Sequence, residues 1–182
     1  MIGASAGGVN ALKSVIDALP ADFPAPIFIT MHIQATLTSY LPEIITREGK
    51  LPALHPRDGE IIQASHIYIA PPDRHMTIEN DHIRLTDDPK IHFCRPAIDP
   101  LFYSAALCGH ATIGIILSGM LHDGVAGLLA IKDNHGTTII QDLDEAEFQN
   151  MPKYASEHVP IDFCLPTKDI ASLLIELVHE KK

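Results

Sequence analysis

The 182-residue chain has no tryptophan, and only 5% of its residues are aromatic although 46% are hydrophobic. Its core must therefore be aliphatic, which favours layered strands and helices over a small β-sandwich. Cysteine is scarce. Cys94, Cys108 and Cys164 stand alone with no CxxC pair, which excludes a disulfide framework and fits a reducing, cytoplasmic setting. No basic run exists, and 13 Lys and Arg against 23 Asp and Glu give a net charge of −10, so nucleic-acid binding is not expected. No apolar run approaches the roughly 18 residues of a membrane span, and no signal peptide is recognisable. None of the 11 histidines lies four residues from another or near a cysteine pair, so neither a metal nor a cofactor is expected. The length fits one domain with a substantial core.

What is present is organised around Gly3-Ala4-Ser5-Ala6-Gly7-Gly8. Gly3, Ser5 and Gly7 have the Gly-x-Ser-x-Gly spacing of a nucleophile elbow, a strand end turning sharply into a helix. Small neighbours allow the turn, and the serine oxygen faces the first free N–H groups of the helix. Such N–H groups can stabilise an oxyanion. The same junction can also bind phosphate or simply pack closely.

Downstream, Val9, Leu12, Val15, Ile16 and Leu19 recur at helical spacing up to Pro20. Residues 26–31 form a continuous apolar run suited to a buried parallel strand, with His32 at its carboxyl end. A helix over 39–47 places Pro42 in its first turn. Residues 57–60 read as a turn and 66–70 as a strand. Residues 77–79 and 82–85 flank Asn80-Asp81 as a β-hairpin. Asp99 and Pro100 are read as the cap and first residue of a helix reaching Cys108. A buried strand over 112–117 leads to Ser118-Gly119-Met120-Leu121-His122-Asp123-Gly124, then to a helix that Gly136 closes. Residues 137–141 form the next strand, 142–154 a polar irregular stretch and 161–165 the last strand. Thr167 is read as the cap of the final helix. The alternation predicts a doubly wound α/β domain: a mainly parallel sheet, helices on both faces and one antiparallel β-hairpin. Sites in such sheets collect at strand carboxyl ends.

Ser5, His32 and Asp123 fall at the predicted carboxyl ends of three separate strands. Together they supply a nucleophile, a general base and the carboxylate that orients the base. Each also has a plain structural role open to it: Ser5 and Asp123 as caps of the helices that follow them, His32 as a polar loop residue.

The stretch 2–8, Ile-Gly-Ala-Ser-Ala-Gly-Gly, resembles the opening of the catalytic domain of protein-glutamate methylesterases, the demethylases of chemotaxis receptors. The similarity continues in collinear order through Met31-His32, Arg57-Asp58-Gly59-Glu60, 67–71, 73–76, Arg95-Pro96-Ala97-Ile98-Asp99, 118–124 and Met151-Pro152. The resemblance implies hydrolysis of glutamate methyl esters on receptor helices with release of methanol, and deamidation of glutamine at the same sites. It carries the family's serine, histidine and aspartate onto Ser5, His32 and Asp123. The backbone N–H groups of Ala6 and Met120 are the candidates for the oxyanion hole. The implied partners are the cytoplasmic helices of methylated chemoreceptors, and a receiver or methyltransferase domain in cis or trans. No receiver domain is read within residues 1–182, which are expected to form a single domain. The first strand is expected to be truncated, leaving Ser5 on a stub with few ladder hydrogen bonds. The chain departs from the family pattern at Ala6, where threonine is common, at Leu121, where glycine is usual, and at 33–36, which lack the usual proline and glycine. Two other readings stay open: an esterase for a different ester, and a catalytically idle domain that binds a receptor or partner.

Overall fold

The computed structural model describes residues 1–180. Nine strands are β1 (Ile2–Ala4), β2 (Ile27–Met31), β3 (Ala53–Leu54), β4 (Ile67–Ile69), β5 (His75–Glu79), β6 (His82–Thr86), β7 (Ile113–Ile116), β8 (Thr137–Gln141) and β9 (Phe163–Leu165). Six helices are α1 (Gly8–Asp17), α2 (Leu41–Glu48), α3 (Ile98–Ala106), α4 (Val125–Asp133), α5 (Asn150–His158) and α6 (Thr167–Glu180). Seven strands make one parallel sheet in the order β3-β4-β2-β1-β7-β8-β9, and β5 and β6 pair antiparallel beside it. The chain thus has the doubly wound α/β fold and the single hairpin expected of it.

Strand side chains alternate between two cores. Ile2, Ile29, Ile67, Ile69 and Ile115 face α1, α2 and α6, where Leu12, Val15, Ile45 and Ile170 complete one cluster. Phe28, Tyr68, Ile116 and Ile140 face α3, α4, α5 and the hairpin, packing with Phe102, Leu128, Met151 and Ile83. Phe28 and Tyr68 stack at 5.4 Å between ring centroids in a core that is mostly aliphatic.

β1 is the centre of this arrangement. It covers three residues, yet it is bonded on both sides, which corrects the expectation of a sparsely bonded stub. Met1 N donates to Ile113 O at 2.7 Å and Ile115 N to Met1 O at 2.9 Å. Leu117 N reaches Gly3 O at 2.9 Å, and on the other edge His32 N reaches Ala4 O at 3.3 Å. The winding reverses at β1, with α1 leading to β2 on one face and α4 leading from β7 to β8 on the other. The carboxyl end of β1 therefore opens onto the topological switch point, where α/β sheets leave a crevice.

Gly3 admits α3 to this centre. A Cβ there would lie 2.6 Å from Ile98 Cγ2. Gly3→Ala is expected to cost about 1–3 kcal/mol through overpacking, read as a fall of several degrees in Tm. An unchanged Tm would show that Ile98 yields freely.

Several boundaries differ from the sequence reading. α3 starts at Ile98 after Ala97, so Asp99 and Pro100 are its second and third residues and not its cap and first residue. α5 covers Asn150–His158, and its first five residues fall in the 142–154 stretch read as irregular; only Met151, Pro152 and Ala155 of it are buried, too narrow a face to show as periodicity. Past α4 the left-handed residue is His135 (φ 66°), one before Gly136. Gly136 instead allows close approach, since a Cβ would meet Ile131 O and Thr112 O at 2.9 Å. Thr167 is the first residue of α6, and its N–H is received by Glu145 Oε2 at 2.8 Å. The two-residue edge strand β3 was not foreseen.

Candidate active site

The turn after β1 is built on Gly7, whose φ of 72° suits a residue without Cβ, and Gly8 N closes it on Ser5 O at 3.0 Å. Ser5 itself is not in the left-handed region, so the strain of a nucleophile elbow is absent from the serine. Its backbone is held by the end of β7, where Ser5 N donates to Ser118 O at 3.0 Å. Ser118 Oγ in turn donates to Ala6 O at 2.8 Å and accepts from Phe148 N at 3.0 Å, while Ser118 N donates to Gln141 Oε1 at 2.8 Å. Ser118 and Gln141 thus fix the serine turn from below. Sequence reasoning missed both, although Ser118 stands in the quoted 118–124 motif.

His32 follows β2 directly, and its ring bridges the other two residues. Nδ1 lies 3.1 Å from Ser5 Oγ and Nε2 lies 2.7 Å from Asp123 Oδ2. An ionised carboxylate only accepts, so the imidazole proton sits on Nε2 and the Nδ1 lone pair is left for the serine hydroxyl. The structure therefore brings together all three residues picked from the strand ends.

Asp123 is nearly inaccessible, at 1%. Its Oδ2 also accepts Ile98 N–H at 2.7 Å and its Oδ1 accepts Asp99 N–H at 3.2 Å. Asp123 does cap a helix, but the helix is α3, reached across the site, and not α4, which its own loop enters through Gly124 (φ 90°). Burial alone would push the Asp123 carboxyl up; the hydrogen bonds from His32 and Ile98 and the attraction of His32 outweigh it and hold it below the usual value. The folded protein then binds fewer protons at this group than the unfolded chain, so the stabilisation is present above about pH 4 and fades as pH falls. Asp123→Asn is expected to flatten the acid limb of stability below about pH 4, measured by urea midpoints. An acid limb as steep as the wild type's would place its origin in other carboxylates.

Met120 and Leu121 lie on the β7–α4 loop, both about half exposed. Leu121 adopts φ 66°, a left-handed conformation that glycine would take without strain. The Gly119 N–H is engaged by Phe148 O at 3.0 Å, whereas the Ala6 and Met120 N–H groups bond nothing among the described residues. Beside the site, His92, Asp99 and Asp123 bring potential ligand atoms within 4.8 Å of one another. Both Asp123 oxygens already accept N–H groups, from His32, Ile98 and Asp99. Among the described residues no helix is long and apolar enough to cross a membrane.

Residues 1–174 match the CheB methylesterase family. A protein-glutamate methylesterase/protein-glutamine glutaminase of Maricaulis maris is 41% identical over 174 residues, 93% of this chain and 43% of that protein. One from Anaeromyxobacter dehalogenans is 39% identical, covering 98% of this chain and 53% of its own length. The chain thus spans about half the length of these relatives. A putative protein of the same name from Leptospira interrogans, 36% identical, is matched over 93% of its length. The crystal structure of the Thermotoga maritima CheB methylesterase catalytic domain superposes with a TM-score of 0.92 at 35% identity, covering 97% of this chain and 96% of that one. With this fold and a whole-chain match, the protein belongs to the CheB methylesterase family.

Proposed function

We propose that residues 1–182 form one catalytic domain, a serine hydrolase that demethylates glutamate methyl esters on chemoreceptor helices and deamidates glutamine at the same sites. The observation that carries this reading is the continuous chain from Ser5 Oγ through His32 to Asp123 at the switch point of the sheet. Relatives named for both activities support the choice of substrate. Ser5 Oγ attacks the ester carbonyl carbon as His32 Nδ1 takes the hydroxyl proton. The Ala6 and Met120 N–H groups receive the oxyanion. Asp123 holds the ring and offsets its positive charge. The tetrahedral intermediate collapses with cleavage of the carbonyl–methoxy bond, and His32 passes the proton to the departing oxygen, releasing methanol. Water then attacks the acyl-serine, His32 again takes and returns a proton, and glutamate and free Ser5 are restored. Glutamine follows the same course with ammonia leaving.

The partners in this reading are the cytoplasmic receptor helices, which place the protein in the cytoplasm, with a receiver or methyltransferase domain supplied in cis or trans. The test is methanol release from methylated receptor by wild type and Ser5→Ala in parallel. Turnover of a generic ester without methanol release would move the reading to a different substrate. No Ser5-dependent turnover of either would make the domain a binder.

A further inference from the structure

Asp99 is buried to 4% exposure beside the Asp123 carboxylate. Two neighbouring buried carboxylates are costly, because each loses water and repels the other. Burial is the largest influence on Asp99 and pushes its carboxyl up; the Asp123 charge pushes in the same direction. The chain nevertheless keeps an acid here, and its contacts show what it does. Asp99 Oδ1 accepts Gly127 N–H, in the first turn of α4, at 2.7 Å. Asp99 Oδ2 faces His92 Nε2 at 3.4 Å. Asp123, in the loop that enters α4, meanwhile accepts the Ile98 and Asp99 N–H groups at the start of α3. Each helix start is thus capped by an aspartate belonging to the other.

The packing around this exchange leaves little slack. A Cβ on Gly127 would meet Phe102 Cβ at 2.5 Å and Asp99 Oδ1 at 3.2 Å, and one on Gly124 would meet Ile98 Cγ2 at 2.6 Å. Glycine at both positions lets the two helix starts close on each other, and the bonds across the gap set their register. We propose that Asp99 is a positioning residue for the Ser5–His32–Asp123 relay: by capping α4 through Gly127 it fixes the loop that carries Asp123 and so the aim of the Asp123 carboxylate at His32. The His92 ring faces Asp99 from the solvent side. The inference rests on the hydrolase reading above.

The experiment compares Asp99→Ala, which removes the cap, with Asp99→Asn, whose side-chain oxygen can still accept the Gly127 N–H. Each is assayed for Ser5-dependent ester turnover well below its Tm, and the far-downfield proton resonance of the His32 Nε2–H···Asp123 bond is recorded by NMR. Displacement of a reacting group by about 1 Å can cost about 10²-fold in rate. Asp99→Ala is therefore expected to lose roughly 10–100-fold in kcat with KM unchanged and to lose or broaden the downfield resonance. Asp99→Asn should restore both. Wild-type kcat and resonance in folded Asp99→Ala would overturn the proposal, as would failure of Asp99→Asn to restore either. If Asp99→Ala does not fold, Asp99→Ser, whose hydroxyl is too short to reach Gly127, is read by the same criteria. A wrong hydrolase reading would show differently, as wild-type turnover that does not depend on Ser5, and the resonance would still test the positioning.

Discussion

Ser5→Ala is expected to lower kcat by roughly 10⁶ while the protein stays folded with a Tm close to the wild type's. The serine hydroxyl contributes a single hydrogen bond, to His32 Nδ1 at 3.1 Å. The contacts that shape the turn are made by backbone: Ser5 N to Ser118 O, and Gly8 N to Ser5 O. Alanine keeps both, and no partner is stranded in the core, because the His32 ring is open to solvent on one side at 14% exposure. What disappears is the atom that the proposed mechanism assigns to the acyl intermediate. Rates should be measured by methanol release and by a chromogenic ester, with circular dichroism and Tm as controls. A variant that retained more than about a hundredth of the wild-type rate would not have lost its nucleophile, given the size of triad deletions.

How much of this site could be read from the chain depends on the range of each interaction. Ser5 follows a short strand end, His32 follows the apolar run 26–31, and Asp123 lies in the loop after the run 112–117, so their meeting follows from parallel strands aligned in one sheet. The Gly-x-Ser-x-Gly spacing and the collinear resemblance point to the same three residues. The position of Gly7 in the turn was legible for the same local reason. The crossing of the two caps was not. Asp99 is followed by Pro100, so local rules make it the cap of its own helix, yet it lies two places past Ala97, the cap position of α3. The residue that caps α3 lies 25 positions away from Ile98 on a different loop, and no local pattern signals it. Ser118 and Gln141 escaped notice likewise, because they act on the serine turn from two neighbouring strand ends. α5 was missed because three buried residues do not make a visible stripe.

Asp123→Asn tests the carboxylate in both of its roles at once, and the expected result is a loss of roughly 10⁴ in kcat with a lower Tm. Three N–H groups converge on the carboxylate: His32 and Ile98 on Oδ2, both at 2.7 Å, and Asp99 on Oδ1 at 3.2 Å. An amide has one accepting oxygen. If that oxygen takes the Oδ2 position, the NH₂ group confronts Asp99 N–H, and His32 keeps its tautomer but loses the negative charge that offsets its own in the transition state. If the amide is turned the other way, the NH₂ group confronts Ile98 N–H and drives His32 to the tautomer with its proton on Nδ1. That tautomer cannot accept the Ser5 proton. Either orientation leaves a buried donor unmatched, at about 1–3 kcal/mol, so Tm should fall whatever happens to the rate. The rate separates the roles. An Asp123 that served only as the α3 cap would give a variant with reduced Tm and near-wild-type kcat when assayed well below that Tm. An Asp123 that also orients and balances His32 gives a folded variant with kcat reduced by orders of magnitude and KM little changed, because substrate contacts are left in place.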